Sequence, residues 1–197
     1  MLRYLDVQNI LDKNDLILQE SGCVGSENER GNTYMKKIGI VTDSHSSISQ
    51  EEAEKLGIFV LPMPFYIDGE CYYESVTLSR ELFFEKLAAG ADITTSQPSP
   101  TAVMEIWDKA LEQFEKILYM PISSGLSGSY ETAMMLAKDE AYEGRVLVVD
   151  DGQVAAPLHQ MVLDTLDMIE KGYEAEQIRD LLERAGDRMM IYIALQE

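Results

Sequence analysis

Cross-linking and metal-binding residues are scarce in this sequence, with 2 cysteines and 2 histidines among 197 residues. Cys23 and Cys71 form no CxxC pair and have no histidine at ligand spacing, which excludes a disulfide framework and a zinc-type cluster; a reducing interior is expected. No run approaches the roughly 20 apolar residues of a membrane span. The opening Met1-Leu2-Arg3-Tyr4-Leu5-Asp6 lacks the basic-then-apolar order of a signal peptide, so a cytoplasmic protein is expected. Positive charge is scarce too: 16 Lys and Arg face 35 Asp and Glu, leaving a formal charge of -19. Such a surface repels nucleic-acid backbones and anionic membranes, so neither is an expected partner. GxxxxGK[ST] and GxGxxG are both missing, and with them the usual phosphate-cradling loops.

Hydrophobic residues make up 46% of the chain and fall in periodic segments, enough to close one sizeable core. Residues 1–35 carry no sustained period and read as an appendage or linker. From residue 36 the pattern changes to alternating strands and helices. Lys37-Ile38-Gly39-Ile40-Val41-Thr42-Asp43 and Arg145-Val146-Leu147-Val148-Val149-Asp150 are short β-branched runs of the kind buried in parallel sheets, and Ile117-Leu118-Tyr119-Met120 is a third. The segment 59–67 contains Pro62 and Pro64, which suits an edge or irregular strand, and Asp68-Gly69 predicts a hairpin into residues 70–73.

Helix starts are written just as openly. Ser49 and Glu52 form a capping box, the hydroxyl accepting from the Glu52 amide and the carboxylate reaching back to the Ser49 amide. Ser79 caps the next helix, with Leu78 and Phe83 as a hydrophobic staple. Ser99 and Pro100 open a third, whose apolar face runs through Val103, Trp107, Ala110, Leu111 and Phe114. Further helices are expected around Tyr130, Ala133, Met134 and Ala137, from Val154 to Gly172, and from Glu174 to Ala185, followed by a strand-like run at 189–195. The expected fold class is α/β, a mostly parallel sheet flanked by helices.

Ligands of open parallel sheets bind beyond the carboxyl ends of the strands. Three polar loops fall there: residues 43–47, 94–99 and 123–129. The last two each open a helix, where unpaired amides and a partial positive charge favour an anion and Ser or Thr hydroxyls add donors. Gly125 and Gly128 allow the backbone to approach a ligand closely. A carboxylate or phosphate is the expected guest. Capping explains some of these hydroxyls by itself, Ser99 above all.

The run Thr95-Ser96-Gln97-Pro98-Ser99, followed by Ser123-Ser124-Gly125-Leu126-Ser127-Gly128-Ser129-Tyr130, resembles the paired motifs of the DegV family. Val41-Thr42-Asp43-Ser44 and Val148-Val149-Asp150 match the family pattern as well, and the similarity extends over residues 36–197 in order. The resemblance implies a bacterial, non-catalytic protein that holds a long-chain fatty acid between two α/β domains. It also implies a partner, a fatty acid kinase subunit that converts the bound carboxylate to an acyl phosphate, with no cofactor and no metal. Carried over by position, Thr95 and Ser127 or Ser124 would hydrogen-bond the carboxylate, with Ser96 and the Gly128 amide close by. Residues 36–197 would correspond to the family's N-terminal domain, with its C-terminal domain absent. Asp150 is followed by Asp151-Gly152-Gln153, where the family usually has Ser and then small residues.

Two other readings are open to test. Residues 125–129 approach a GxSxG nucleophile elbow but place Ser129 at the final glycine, and His45 or His159 would have to serve as base for a serine hydrolase. A truncated interaction or regulatory module, holding no lipid, is the other. Met134, Met135, Met161, Met168, Met189 and Met190 could line an apolar cavity.

Overall fold

The computed structural model describes residues 36–73, 76–186 and 188–189. The appendage read at 1–35 and the strand-like run at 189–195, Met189 apart, lie outside the described residues.

β1 (Lys36–Asp43) stands at the middle of a four-stranded parallel sheet. β2 (Phe59–Leu61) pairs on one side of it and β6 (Phe114–Met120) on the other, and β7 (Val146–Val148) pairs beyond β6. Both faces are covered, as an all-parallel sheet requires. Successive side chains of β6 alternate between them. Ile117 and Tyr119 pack with α3 (Pro100–Leu111), while Met120 turns to α5 (Ala155–Glu170), its sulfur 3.6 Å from Thr165 Oγ1. Behind the sheet α6 (Ala175–Gly186) lies against β6 and β7, and α4 (Ser129–Leu136) contacts α3 and β7.

Trp107 anchors the first face. It is fully buried and meets Tyr119 and Tyr142 edge to face, with centroids 5.3 and 5.2 Å away. The expected helical face is confirmed at Val103, Trp107, Ala110 and Leu111, all buried in α3. Phe114 corrects the reading: it opens β6 instead of continuing the helix, and its burial comes from the strand. Its ring explains Gly39, where a Cβ would lie 2.5 Å from the Phe114 side chain.

The three serine caps hold, at Ser49, Ser79 and Ser99, but the capping box does not close. Ser49 Oγ accepts from the Glu52 amide at 3.1 Å at the start of α1 (Gln50–Leu56), which ends at Gly57 with φ 67°. Glu52 does not close the box; its carboxylate faces His159 Nε2 on α5 at 3.1 Å. The His159 ring, and not the exposed Ser49 amide, is the partner of this carboxylate.

A second sheet was not expected. β3 (Pro64–Ile67) pairs antiparallel with β4 (Glu70–Tyr73) through the Asp68-Gly69 turn, as read, and also with β5 (Ile93–Thr95) on its other edge. Thr94 and Thr95 therefore belong to a short strand, not to the loop that the sequence suggested. Phe65 stands opposite Thr95 in this register. α2 (Arg80–Ala88), capped by the Ser79 hydroxyl on the Leu82 amide, runs between β4 and β5 and packs Phe83 edge to face on Phe65, 5.7 Å away.

Candidate ligand-binding cleft

The parallel strands β1, β2 and β6 all release their chains at one end, and the three-stranded sheet with α2 stands beside that end. Between them lies a cleft of about 870 Å³. Its apolar walls come from Met63, Phe65, Leu78, Phe83 and Ile93 on the small sheet side and from Ile48, Ile122 and Leu126 on the strand-end side. The proline-interrupted segment after β2 is what carries the chain out of the parallel sheet, since each proline removes a ladder donor.

Both hydroxyl-rich segments reach the cleft. Thr95, Ser96 and Gln97 line it from the first, and Ser127 and Gly128 from the second. The two meet directly: a Cβ on Gly128 would stand 3.3 Å from Gln97 Oε1, and Thr132 Oγ1 of α4 donates to the same oxygen at 3.4 Å. Gly128 is thus explained by close approach between segments. Ser127 Oγ accepts from the Ser129 amide at 3.2 Å and lies 2.8 Å from Ser129 Oγ, so its orientation is set from the start of α4. The Thr95 hydroxyl makes no hydrogen bond to another described residue. Ser124 is placed differently. It does not line the cleft, and its amide donates to Asp150 Oδ1 at 3.2 Å.

The remaining polar loop, 43–47, reaches the cleft through Ser44, His45 and Ser47. Asp43, at the end of β1, is fully buried, and its Oδ2 accepts from the Ile122 amide at 2.8 Å, tying the exit of β6 to that of β1. Its Oδ1 accepts from the His45 amide at 2.9 Å and lies 3.2 Å from His45 Nδ1. Ser44 Oγ accepts from the Met63 amide at 3.1 Å. The signal was present in the polar run 43–47, but which member faced inward depended on the turn that follows β1. The described methionines proposed as a cavity lining are elsewhere: Met161 and Met168 are core, Met135 is exposed, and Met63 alone lines the cleft.

The second hydroxyl loop rests on the chain after β7. Ser123 donates its amide to the Gln153 carbonyl at 3.0 Å, and the Gln153 amide donates to Asp151 Oδ1 at 2.9 Å. Asp151 is buried, and removal from water pushes its carboxyl up to about 7; the Gln153 amide opposes this, while Asp150 and Asp43 add to it. Asp151 Oδ2 and Gln153 Oε1 are both buried without a hydrogen-bond partner among the described residues.

Among the described residues no helix is long and apolar enough to cross a membrane, and no cluster of His, Cys, Asp and Glu is placed to hold a metal ion. What the fold and site define is an α/β domain with an apolar cleft that ends in hydroxyl and amide donors.

Residues 37–197 match the family described as "Uncharacterised protein, DegV family". A DegV domain-containing protein of Caldanaerobacter subterraneus is 34% identical over 144 residues, covering 73% of this chain and 51% of that protein. A DegV domain-containing protein of Deinococcus radiodurans is 36% identical over 148 residues, covering 75% and 52%. Among solved structures, a fatty-acid-binding DegV family protein of Thermus thermophilus superposes with a TM-score of 0.69 at 33% identity, covering 77% of this chain and 54% of that one. A stearic-acid-binding protein of Eubacterium ventriosum gives 0.64 at 25% identity, covering 76% and 52%. The chain belongs to the DegV family, and it spans about half the length of these relatives.

Proposed function

We propose that the cleft binds a long-chain fatty acid, with the acyl chain against the Phe65 and Phe83 wall and the carboxylate at Thr95, Ser96, Ser127 and the Gly128 amide. The observation that carries this is the meeting of the two hydroxyl segments, at Gln97 and Gly128, on an apolar cleft. About 870 Å³ falls within the roughly 300–1,000 Å³ of small-molecule sites. The DegV family protein of Thermus thermophilus and the protein of Eubacterium ventriosum, described as fatty-acid and stearic-acid binders, support the choice of ligand. Each buried methylene contributes about 0.8 kcal/mol, so the tail supplies most of the affinity and the hydroxyls fix the direction.

Residues 36–197 serve as the gripping domain in this reading, and the chemistry is done elsewhere. The chain acts without a cofactor of its own, and a kinase subunit phosphorylates the carboxylate that this cleft presents. Ser124 takes no direct part; it braces the second segment through Asp150.

Thr95→Ala and Ser127→Ala are each expected to weaken fatty-acid binding by about 1.5–3 kcal/mol, the range for hydrogen bonds to a charged group, in calorimetric titration with oleate. Purification from a bacterial host followed by solvent extraction and mass spectrometry tests the reading itself. Fatty acid at close to one equivalent supports it. A folded chain that carries none, and that takes up none when oleate is added, returns the chain to the interaction-module reading.

A further inference from the structure

We infer that His45 is a ligand-contacting residue that makes the cleft select an anionic head group over a neutral one of the same chain length. The inference rests on the fatty-acid reading above and adds a specificity element to it.

The first observation concerns charge. In a chain of formal charge -19, no acidic side chain is found among the described residues lining the cleft, and His45 is the one ionisable group there. Hydroxyls and amides donate to a carboxylate or to an alcohol alike, and Thr95, Ser96 and Ser127 already favour the charged acceptor over the neutral one. A cation beside them widens that preference, because it pairs with the charge of a carboxylate and gains nothing comparable from an alcohol.

The second observation is how the ring is held. Asp43 is fully buried and spends Oδ2 on the Ile122 amide at 2.8 Å and Oδ1 on the His45 amide at 2.9 Å. His45 Nδ1 lies 3.2 Å from that same Oδ1, and a carboxylate oxygen can only accept. A ring fastened at Nδ1 has Nε2 on its opposite side, and the His45 side chain is 35% exposed, open where it lines the cleft. With Asp43 at one nitrogen, the ring has its other nitrogen left to meet a ligand carboxylate. Asp43 positions the ring; His45 makes the contact.

His159 supplies an internal control, because it pairs with Glu52 at 3.1 Å and does not line the cleft. The test uses competition between a fluorescent fatty acid and either oleate or oleyl alcohol. His45→Gln is expected to weaken oleate by at least about tenfold, the equivalent of one charge-assisted hydrogen bond, while oleyl alcohol shifts by less than about twofold. His159→Gln should move neither. In ¹⁵N spectra the His45 imidazole signals should move when oleate is added and not when oleyl alcohol is added. Equal losses for both ligands in His45→Gln, or no loss for oleate, overturn the inference while leaving fatty-acid binding intact. A wild-type chain that binds neither ligand overturns the fatty-acid reading itself, and this inference with it.

Discussion

Asp151→Asn is expected to stabilise the chain at pH 8 by on the order of 4 kcal/mol, and to lose that advantage as the pH is lowered toward 4. Burial raises the Asp151 carboxyl from 3.8 to about 7, and a difference of that size carries roughly 1.4 kcal/mol for each tenfold change in proton affinity. Below about pH 4 the folded and unfolded chains both hold the proton, and the stabilising effect of the neutral acid is fully present. Between about 4 and 7 the unfolded chain releases its proton while the folded chain keeps it, so wild-type stability falls as the pH rises. Above about 7 the loss is complete. Asparagine cannot titrate, and its carbonyl can still accept from the Gln153 amide that Asp151 Oδ1 now holds at 2.9 Å. Its amide replaces Oδ2, one of the buried acceptors without a partner. Urea unfolding of both chains at pH 5, 6, 7 and 8 checks this: the gap should widen with pH, and a constant gap would show that Asp151 ionises freely in the folded chain.

Trp107→Ala is expected to cost about 3–5 kcal/mol, the range for truncating a fully buried large aromatic. The indole is the joint between α3, β6 and the turn that carries Tyr142, meeting a tyrosine ring on each side. Trp107→Phe should cost distinctly less. It keeps a ring near Tyr119 and removes the indole Nε1, which is buried without a hydrogen-bond partner among the described residues. The comparison is read as a shift in urea midpoint at unchanged slope, which separates lost stability from a change in the denatured state. Equal losses for Ala and Phe would mean that the fit of the indole, and not its buried area, holds this face together.

The parallel sheet was legible because its strands are β-branched runs that end in polar loops, and the helices because Ser49, Ser79 and Ser99 each cap one by the side-chain bond expected of it. Local chemistry decided those features. Phe114 was misplaced because its spacing from Leu111 also satisfies a helical period, and only pairing with Lys36 shows it as the start of a strand. The small antiparallel sheet was hidden for a related reason: β5 is three residues long, and Ile93-Thr94-Thr95 is a strand only because β3 offers it an edge.

The candidate site divides in the same way. Hydroxyls before a helix are a sequence signal, and Thr95, Ser96, Ser127 and Gly128 all line one cleft. Ser124 carries the same signal but stands on the side of its loop that faces Asp150. The Gln97 contact with Gly128 and the Phe83 wall arise from segments distant in sequence, and no spacing rule announces them. The His45 contact with Asp43 is local, but it is set by the turn after β1 and not by a residue pattern.

The most direct test of the account is a crystal structure of the chain grown with excess oleate. Elongated density should run along Phe65 and Phe83 and end with its carboxylate within hydrogen-bonding distance of both Thr95 and Ser127. Density that ends away from these two hydroxyls, or a cleft without the acid at saturating concentration, would contradict it.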